Sequence, residues 1–329
     1  MLVHFSHFNG MTWFKNAGAG VDAFFIISGF VICQSYQARI RNGYRAFDFL
    51  KARVIRLAPL NAVGAFVGLL SVWLAMNYNG QYPHLVAGDL TRSFALTLGF
   101  LPDFNQHAWP FGSEMQVGGL FPLNLPAWSL FLEMVAYLVF FYTCRFIKIN
   151  RPIYLLWAGL FLFYAVQSAM YANDNPGWDQ RTLLQGIPRV LFGFFTGAII
   201  QMLGTRLSQH IPLIIGRLVS CLSIVLLLVG DTWVSLVNSF VFMPITIVFL
   251  ASLKITGYMK TVCTQIGELS FPLYIIHVPI ATLLYTHFKY INAVNPIARI
   301  VCLSLATLIA AFILNQQDKK IRAWLNAHL

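Results

Sequence analysis

Several ionisable side chains lie inside stretches that are otherwise apolar. Ser129, Glu133 and Tyr137 are spaced four residues apart, so a helix presents them as one polar stripe that must face the protein interior. Glu133 lies about seven residues inside its apolar run, roughly 10 Å deep if the run crosses a membrane. A carboxylate at that depth needs a water-filled cavity, where it can do acid–base chemistry, or an ion pair with Arg189 or Arg217.

A second polar face is predicted nearer the C-terminus. Ser270, Tyr274 and His277 are separated by steps of four and three residues, which places them on one side of a helix. Pro272 is expected to begin or kink that helix, and carbonyls freed by such kinks are usually satisfied by neighbouring side chains or by water. We therefore expect a cavity beside this face.

Two histidines and one aspartate near the N-terminus complete the candidate chemistry. His4 and His7 share a helix face, and a neutral imidazole is suited to proton abstraction near pH 7. Asp22 opens the next apolar run and is expected to cap a helix, to orient a catalytic histidine, or to do both. Later in that run, the small pair Ser28-Gly29 allows another helix to approach closely.

Arg53 and Arg56 lie one helical turn apart, just before Pro59, which is expected to start a membrane span. The pair has two possible roles. It can anchor the helix at the membrane surface, or it can grip phosphate, because guanidinium groups bind phosphate in a bidentate manner.

Composition sets the environment of these residues. The chain is 58% hydrophobic and 10% charged, with a mean hydropathy of +0.69. A soluble domain of this composition would expose a large apolar surface to water. A single integral-membrane domain over residues 1–329 is predicted. The net charge of +11 comes from short basic clusters between apolar runs, so we expect no nucleic-acid partner. The five cysteines have no CxxC spacing, and no metal site is expected.

Apolar runs of about 20 residues, the length that crosses a bilayer, predict the helices. An all-α, polytopic transmembrane helix bundle of about ten spans is expected, with the first span N-terminally truncated around residues 1–9. The other nine predicted spans are 20–38, 57–76, 126–144, 153–171, 186–204, 211–230, 234–252, 265–286 and 296–314.

The distribution of charge predicts the orientation. Of the 22 lysines and arginines, 15 fall on one side of these spans, which the positive-inside rule assigns to the cytoplasm together with the C-terminus. Residues 77–125 are then an irregular, carbohydrate-accessible outer loop. The apolar run Phe94–Leu101 within it is too short to span, so we expect a re-entrant or surface helix there.

Five motifs in order resemble the membrane-bound acyltransferase 3 family, and the resemblance covers nearly the whole chain. They are Gly-Val-Asp-x-Phe-Phe-x-x-Ser-Gly-Phe at 20–30, Arg53-x-x-Arg56-Leu-x-Pro59, Trp128-Ser-Leu-x-x-Glu133, Arg189-Val-Leu-Phe-Gly-Phe, and Ser270-x-x-x-Tyr274-x-x-His277. Members of this family are O-acyltransferases that modify surface polysaccharides, lipooligosaccharides and some antibiotics.

The resemblance implies a bacterial inner-membrane O-acetyltransferase with no tightly bound cofactor. Acyl-CoA, expected to be acetyl-CoA, would be the donor, held by Arg53 and Arg56, and the acceptor would be a glycan or a lipid-linked sugar. His7 fits the family's catalytic histidine better than His4, and Glu133 and Asp22 would orient it.

The resemblance also implies the residues of the acceptor site, while the sequence leaves the oligomeric state open. These predicted substrate-binding residues are Trp128, Ser129, Tyr137, Ser270, Tyr274 and His277. Trp128 and Tyr137, with Trp109 of the outer loop, would offer stacking surfaces for a sugar.

Two other interpretations remain at this stage. In the family an arginine precedes the catalytic histidine by ten residues, a position that falls before Met1, so we expect either an earlier start or an inactive paralogue that keeps the fold. A secondary transporter also uses intramembrane carboxylates and histidines, but the sequence has no convincing internal repeat of the kind that many transporters show.

Overall fold

The computed structural model of the chain describes residues 1, 5, 18–79, 84–105, 119–146, 151–171, 175–204, 211–229, 232–287 and 295–328. These residues form helices joined by turns and contain no β-strand. The described helices are α1 (Ala19–Arg41), α2 (Ala46–Asn79), α3 (Ala87–Leu98), α4 (Ala127–Phe146), α5 (Arg151–Tyr171), α6 (Leu183–Leu203), α7 (Leu213–Val229), α8 (Thr232–Val237), a π-helical turn (Asn238–Phe242), α9 (Met243–Ser252), α10 (Gly257–His287) and α11 (Pro296–His328).

The described helices account for nine of the predicted spans. Eight runs are long and apolar enough to cross a membrane, and Trp233–Ser252, which joins α8, the π-helical turn and α9, is one of them. The ninth, α7, is a shorter apolar helix. The prediction of an all-α polytopic transmembrane bundle is confirmed, whereas the truncated span near residues 1–9 lies outside the described residues except for Met1 and Phe5.

Helices α1 and α6 form the most extensive helix–helix contact among the described residues, and two glycines make it possible. A Cβ atom added to Gly29 would lie 1.9 Å from the backbone oxygen of Phe194, and one added to Gly197 would lie 1.8 Å from that of Ile26. No side chain fits between these backbones. The expectation that the Ser28-Gly29 pair admits a close helix is therefore confirmed.

Several helices bring basic residues to the same end of the bundle. Arg145, at the end of α4, donates a hydrogen bond to the Ile40 carbonyl at the end of α1 (3.4 Å). Lys319, late in α11, pairs with Glu268 of α10 at 2.5 Å. We call this end, which carries Arg41, Arg145 and Lys319, the basic end.

Helix α2 begins well before Pro59, so the prediction that Pro59 starts this span is wrong. Pro59 has no N–H for the carbonyl four residues earlier, but neighbouring helices let a membrane helix continue through such a gap. Helix α10 likewise starts before Pro272 and contains it. Because α2 begins at Ala46, Arg53 and Arg56 are part of a regular helix, and both are half-buried in the bundle.

The segment that joins α2 to α4 is only partly the outer loop that the sequence predicted. Helix α3 is too short to span and packs on α2, where Asn61 Nδ2 donates to the Thr97 carbonyl at 2.7 Å. Residues 119–125, however, are buried, and the Leu123 carbonyl lies against Gly68 of α2. The accessible-loop prediction is wrong for these residues, because irregular backbone at membrane depth must be enclosed by protein.

Substituting Gly197 tests the contact between α1 and α6. Gly197→Ala is expected to destabilise the purified protein by about 1–3 kcal/mol or more, because the helices must separate to admit the methyl group. Thermal unfolding in detergent, followed by tryptophan fluorescence, measures the effect. Gly159→Ala on α5 is the matched control, since nothing lies within 4 Å of its added Cβ. Equal unfolding midpoints for the two variants would contradict the tight contact.

Candidate active site

The carboxylate of Glu133 on α4 lies at the centre of the candidate site. Its Oε1 atom accepts hydrogen bonds from the Ser28 hydroxyl of α1 and from the Tyr137 hydroxyl, the latter at 2.5 Å. Glu133 and Tyr137 are 2% and 4% exposed, and Ser129 is fully buried. The prediction that this stripe faces the protein interior is confirmed.

One turn before Glu133, the stripe meets helix α10. The hydroxyls of Ser129 and Tyr274 lie 2.8 Å apart, and both groups approach the Pro126 carbonyl, at 3.1 Å and 3.3 Å respectively. Phe24 of α1 stacks on the Tyr274 ring with 5.9 Å between centroids. Two polar faces that the sequence predicted separately are therefore in direct contact between α4 and α10.

Arg53 and Arg56 approach this cluster from the basic end. Arg53 donates a hydrogen bond to the Tyr36 hydroxyl at 2.6 Å, and its guanidinium lies 4.7 Å from the centre of the Tyr36 ring. The Arg56 guanidinium lies 5.7 Å from the ring centre of Phe271. Both arginines interact electrostatically with Glu133. The phosphate-binding candidates and the buried carboxylate thus belong to one connected set.

A second buried carboxylate, Asp22, forms an ion pair with Arg189. The Arg189 Nε atom donates to Asp22 Oδ1 at 2.6 Å, and Ser239 of the π-helical turn donates to Oδ2 at 2.8 Å. The same guanidinium donates to Asn175 Oδ1 at 2.8 Å and to the Gly18 carbonyl at 3.0 Å. This network joins α1, α6, the π-helical turn and the segment before α6.

The network corrects two expectations from the sequence. Asp22 caps no helix: Gly18 occupies the N-cap of α1, without a side-chain hydrogen bond, and the Asp22 carboxylate binds α6 and the π-helical turn instead. Glu133 does not form an ion pair with Arg189, which binds Asp22, or with Arg217, which is exposed on α7. The sequence suggested Arg189 as a partner only for Glu133, because nothing local marks Asp22, 167 residues earlier in the chain, as the carboxylate that Arg189 binds.

Trp128 packs in the core of the bundle. It is 6% exposed, its ring lies edge-on to Phe25 (6.4 Å between centroids), and the Arg189 guanidinium lies 5.8 Å from its ring centre. Its indole helps to form the wall between the Glu133 cluster and the Asp22 network. The sugar-stacking role that the resemblance implied for Trp128 and Tyr137 stays a prediction, and Trp109 lies outside the described residues.

The structure places the three residues of the predicted α10 face in different environments. His277 is buried, its Nδ1 lies 2.6 Å from the Tyr274 carbonyl, and its ring is 6.4 Å from that of Phe5. Ser270 is exposed and donates to the Gly267 carbonyl of its own helix at 2.7 Å. The structure therefore brings Tyr274 and His277, but not Ser270, to the interior.

Sequence reasoning missed two residues of the site and proposed one that lies outside the described residues. Ser28 was interpreted only as a small residue, although a hydroxyl in an apolar run must find a buried acceptor, and here it finds Glu133. Tyr36, which binds Arg53, follows Ser28 by two helical turns and gave the same kind of signal. His7, the predicted base, falls outside the part of the chain that the structure describes, as does His4.

This arrangement suits proton transfer beside the negatively charged Glu133 carboxylate. A buried carboxylate that is held by hydroxyl donors can stabilise a positive charge that develops next to it. Among the described residues, no group of three or more histidine, cysteine or acidic side chains is placed to hold a metal ion. The fold and the site together define a membrane-embedded protein with an interior polar centre.

Comparison with known families shows to which family of membrane proteins the chain belongs. The profile of the acyltransferase 3 family, described as an acyltransferase domain, matches residues 2–316. The chain belongs to this family of membrane acyltransferases. The family assignment favours the acyltransferase interpretation over the transporter interpretation.

A curated relative adds a partial match. The chain is 33% identical over 127 residues to "Protein 2 in picA locus" of Rhizobium radiobacter, a match that covers 36% of this chain and 62% of that protein. The chain thus matches about three fifths of the length of this relative. No solved structure matches the chain.

Breaking the Arg189–Asp22 pair tests whether it holds the bundle together. Arg189→Gln is expected to destabilise the protein by about 3–5 kcal/mol, because it leaves a buried carboxylate unpaired. Adding Asp22→Asn to this variant should recover part of the loss by removing the orphaned charge. Thermal unfolding of purified variants provides the measurement, with Arg217→Gln as the exposed control. An Arg189→Gln variant as stable as that control would show that the pair is not structural.

Proposed function

We propose that this membrane acyltransferase transfers an acetyl group from cytoplasmic acetyl-CoA to a hydroxyl of a cell-surface or exported glycan. The observation that carries the proposal is the chain of contacts from half-buried Arg53 to buried Glu133. Arg53 donates to the Tyr36 hydroxyl, the rings of Tyr36 and Tyr137 both pack on Phe49, and the Tyr137 hydroxyl donates to Glu133. The arginines suit the donor's phosphates, and the carboxylate and its hydroxyl partners suit proton transfer. One connected set of side chains thus offers both functions that the reaction needs.

The proposed orientation follows from the charge of the two ends of the bundle. The basic end faces the cytoplasm of a bacterial inner membrane, because cytoplasmic loops of membrane proteins carry the excess of lysine and arginine. The C-terminus of α11 lies at the same end. Acetyl-CoA then meets Arg53 and Arg56 first, and the acceptor approaches from the opposite end.

In the proposed reaction, His7 acts as the general base. Its neutral imidazole removes the proton of the acceptor hydroxyl while the oxygen attacks the thioester carbonyl carbon. The new C–O ester bond forms, the C–S bond breaks, and the CoA thiolate takes the proton from the imidazolium and leaves as the thiol. In the alternative order, a nitrogen of the His7 imidazole attacks the thioester carbon, the C–S bond breaks, and the CoA thiol leaves with the imidazole N–H proton. The acceptor hydroxyl then attacks the acyl-imidazole, the C–O bond forms, the C–N bond breaks, and the hydroxyl proton returns to the imidazole.

Glu133 and its neighbours support this chemistry without forming bonds to the acetyl group. The negative charge of Glu133 stabilises the imidazolium that forms during transfer, and Ser28 and Tyr137 hold the carboxylate in place. The hydroxyls of Ser129 and Tyr274 are the candidates for contacting the acceptor, since they meet between α4 and α10, one turn from Glu133. Asp22 acts mainly through its pair with Arg189 and orients the site indirectly.

The catalytic assignment predicts distinct losses of activity. His7→Ala is expected to abolish transfer, and Glu133→Gln is expected to lower it by about 10²-fold or more, which is typical for loss of an acid–base partner. The readout is radiolabel transferred from [1-14C]acetyl-CoA to the surface glycan in host membranes. Glu268→Gln, an exposed glutamate on α10, is the control, and immunoblotting checks insertion. Normal acetylation by His7→Ala would refute the assignment, and no transfer by the unaltered protein would indicate an inactive paralogue.

The donor assignment predicts weaker binding when both arginines are removed. Arg53→Ala combined with Arg56→Ala should reduce acetyl-CoA affinity about 100-fold, since each hydrogen bond to a charged group contributes roughly 1.5 kcal/mol or more. Isothermal titration of the purified protein measures the affinity. Arg45→Ala, exposed at the same end, removes a charge without removing a site residue. Unchanged affinity in the double variant would show that both residues act only as membrane anchors.

A further inference from the structure

Helix α11 continues past its last apolar turns and brings charged side chains back to the basic end. Asp318 is only 2% exposed there and pairs with Arg322, one turn later, at 2.8 Å. Both residues interact electrostatically with Arg56 of α2. A third guanidinium therefore joins the two that the sequence singled out.

The charges of this group do not balance. Arg56 interacts electrostatically with Arg53, Arg322 and Asp318, so this set of four side chains holds three positive charges and one carboxylate. Glu133, further inward, is held by hydroxyls. Excess positive charge that is partly withdrawn from water is costly unless an anion accompanies it. The cluster therefore favours a bound anion.

Unused hydrogen-bond donors indicate what kind of anion fits. The Nε atoms of Arg53 and Arg322 are buried and have no hydrogen-bond partner among the described residues. Buried donors are normally satisfied, and guanidinium groups bind carboxylate and phosphate oxygens through such N–H groups in pairs. Several converging guanidinium groups suit a ligand with many charged oxygens, which is a diphosphate rather than a simple carboxylate.

We propose that Arg322 is a third phosphate-binding residue, which completes with Arg53 and Arg56 a site for the diphosphate of the acyl donor, and that Asp318 positions its guanidinium. The inference rests on the proposed function in assigning the diphosphate to acyl-CoA. It extends beyond the family comparison, because Arg322 follows residue 316, where the family match ends.

Asp318 has a specific part in this site. Its carboxylate lies one turn before Arg322 and is almost fully enclosed, so the ion pair restricts the Arg322 side chain to the side of α11 that faces α2. Neither of its carboxylate oxygens has a hydrogen-bond partner among the described residues, so the carboxylate acts on Arg322 as an ion-pair partner, at 2.8 Å. Asp318 is therefore a positioning residue, and Arg322 is the one that contacts the ligand.

Titration of the purified full chain tests the inference with three ligands: inorganic pyrophosphate, coenzyme A, and pantetheine, which has no phosphate. Arg322→Gln is expected to weaken pyrophosphate and coenzyme A binding about tenfold or more, because one charge-assisted contact is lost. Pantetheine binding should not change. Lys320→Gln, exposed on the same helix, removes the same charge and should change affinity less than twofold at 0.15 M salt, where exposed charges are screened.

Arg322→Lys is the replacement variant if Arg322→Gln does not fold. It keeps the positive charge opposite Asp318 and loses only the planar guanidinium with its paired N–H donors. It should bind pyrophosphate several-fold more weakly than the unaltered protein, and unchanged binding would overturn the inference. Equal weakening by Arg322→Gln and Lys320→Gln would also overturn it, since general surface charge would then explain the effect.

The same titrations separate this inference from the proposed function. If the unaltered protein binds coenzyme A and Arg322→Gln binds it equally well, the role of Arg322 is refuted while the donor assignment stands. If Arg322→Gln weakens pyrophosphate binding but the unaltered protein does not bind coenzyme A, the anion site stands and the donor assignment fails. Binding of neither ligand by the unaltered protein overturns both.

Discussion

The backbone contact between α1 and α6 is the constraint on which the rest of the site depends. Gly29 and Gly197 let the two helices touch at their main chains, so neither helix can slide or rotate without a clash. Ser28, next to Gly29, is thereby directed to Glu133, and Asp22 is placed opposite Arg189. One packing contact thus sets the positions of two buried polar clusters.

The two buried carboxylates differ in their partners, and the difference suggests different tasks. Asp22 has a full positive charge at hydrogen-bond distance and a hydroxyl on its other oxygen. Glu133 has only hydroxyls on Oε1, and its Oε2 is buried with no hydrogen-bond partner among the described residues. A carboxylate neutralised by an arginine is held firmly, whereas one held by hydroxyls keeps more of its capacity to respond to a new charge.

The nine spans and the interior stripe of α4 could be predicted because membrane length and helical spacing are strong local signals. The partner of Arg189 could not, since the sequence suggested only Glu133 and nothing local marks Asp22, 167 residues earlier, as the carboxylate that Arg189 meets. Pro59 and residues 119–125 misled the prediction for a related reason. Proline and asparagine normally signal a helix start or an exposed loop, but a packed bundle can enclose both and satisfy their backbone. Ser270 shares a helical face with Tyr274, yet the edge of that face lies outside the interior.

The buried segment 119–125 also makes the apolar barrier at the site thinner, because it brings polar groups into the bundle close to the level of Arg53. Asn124 lies against Gly64 of α2, and Gly64 is eleven residues from Arg53 on the same helix, about 17 Å along its axis. The hydrocarbon core of a bilayer is roughly 30 Å thick, so polar groups approach each other here across little more than half that distance. Such a short barrier would leak ions if it were loosely packed. Ile55, Leu57 and Leu60 of α2, which are all buried, lie between Arg53 and Gly64 and supply the dense apolar packing at this point.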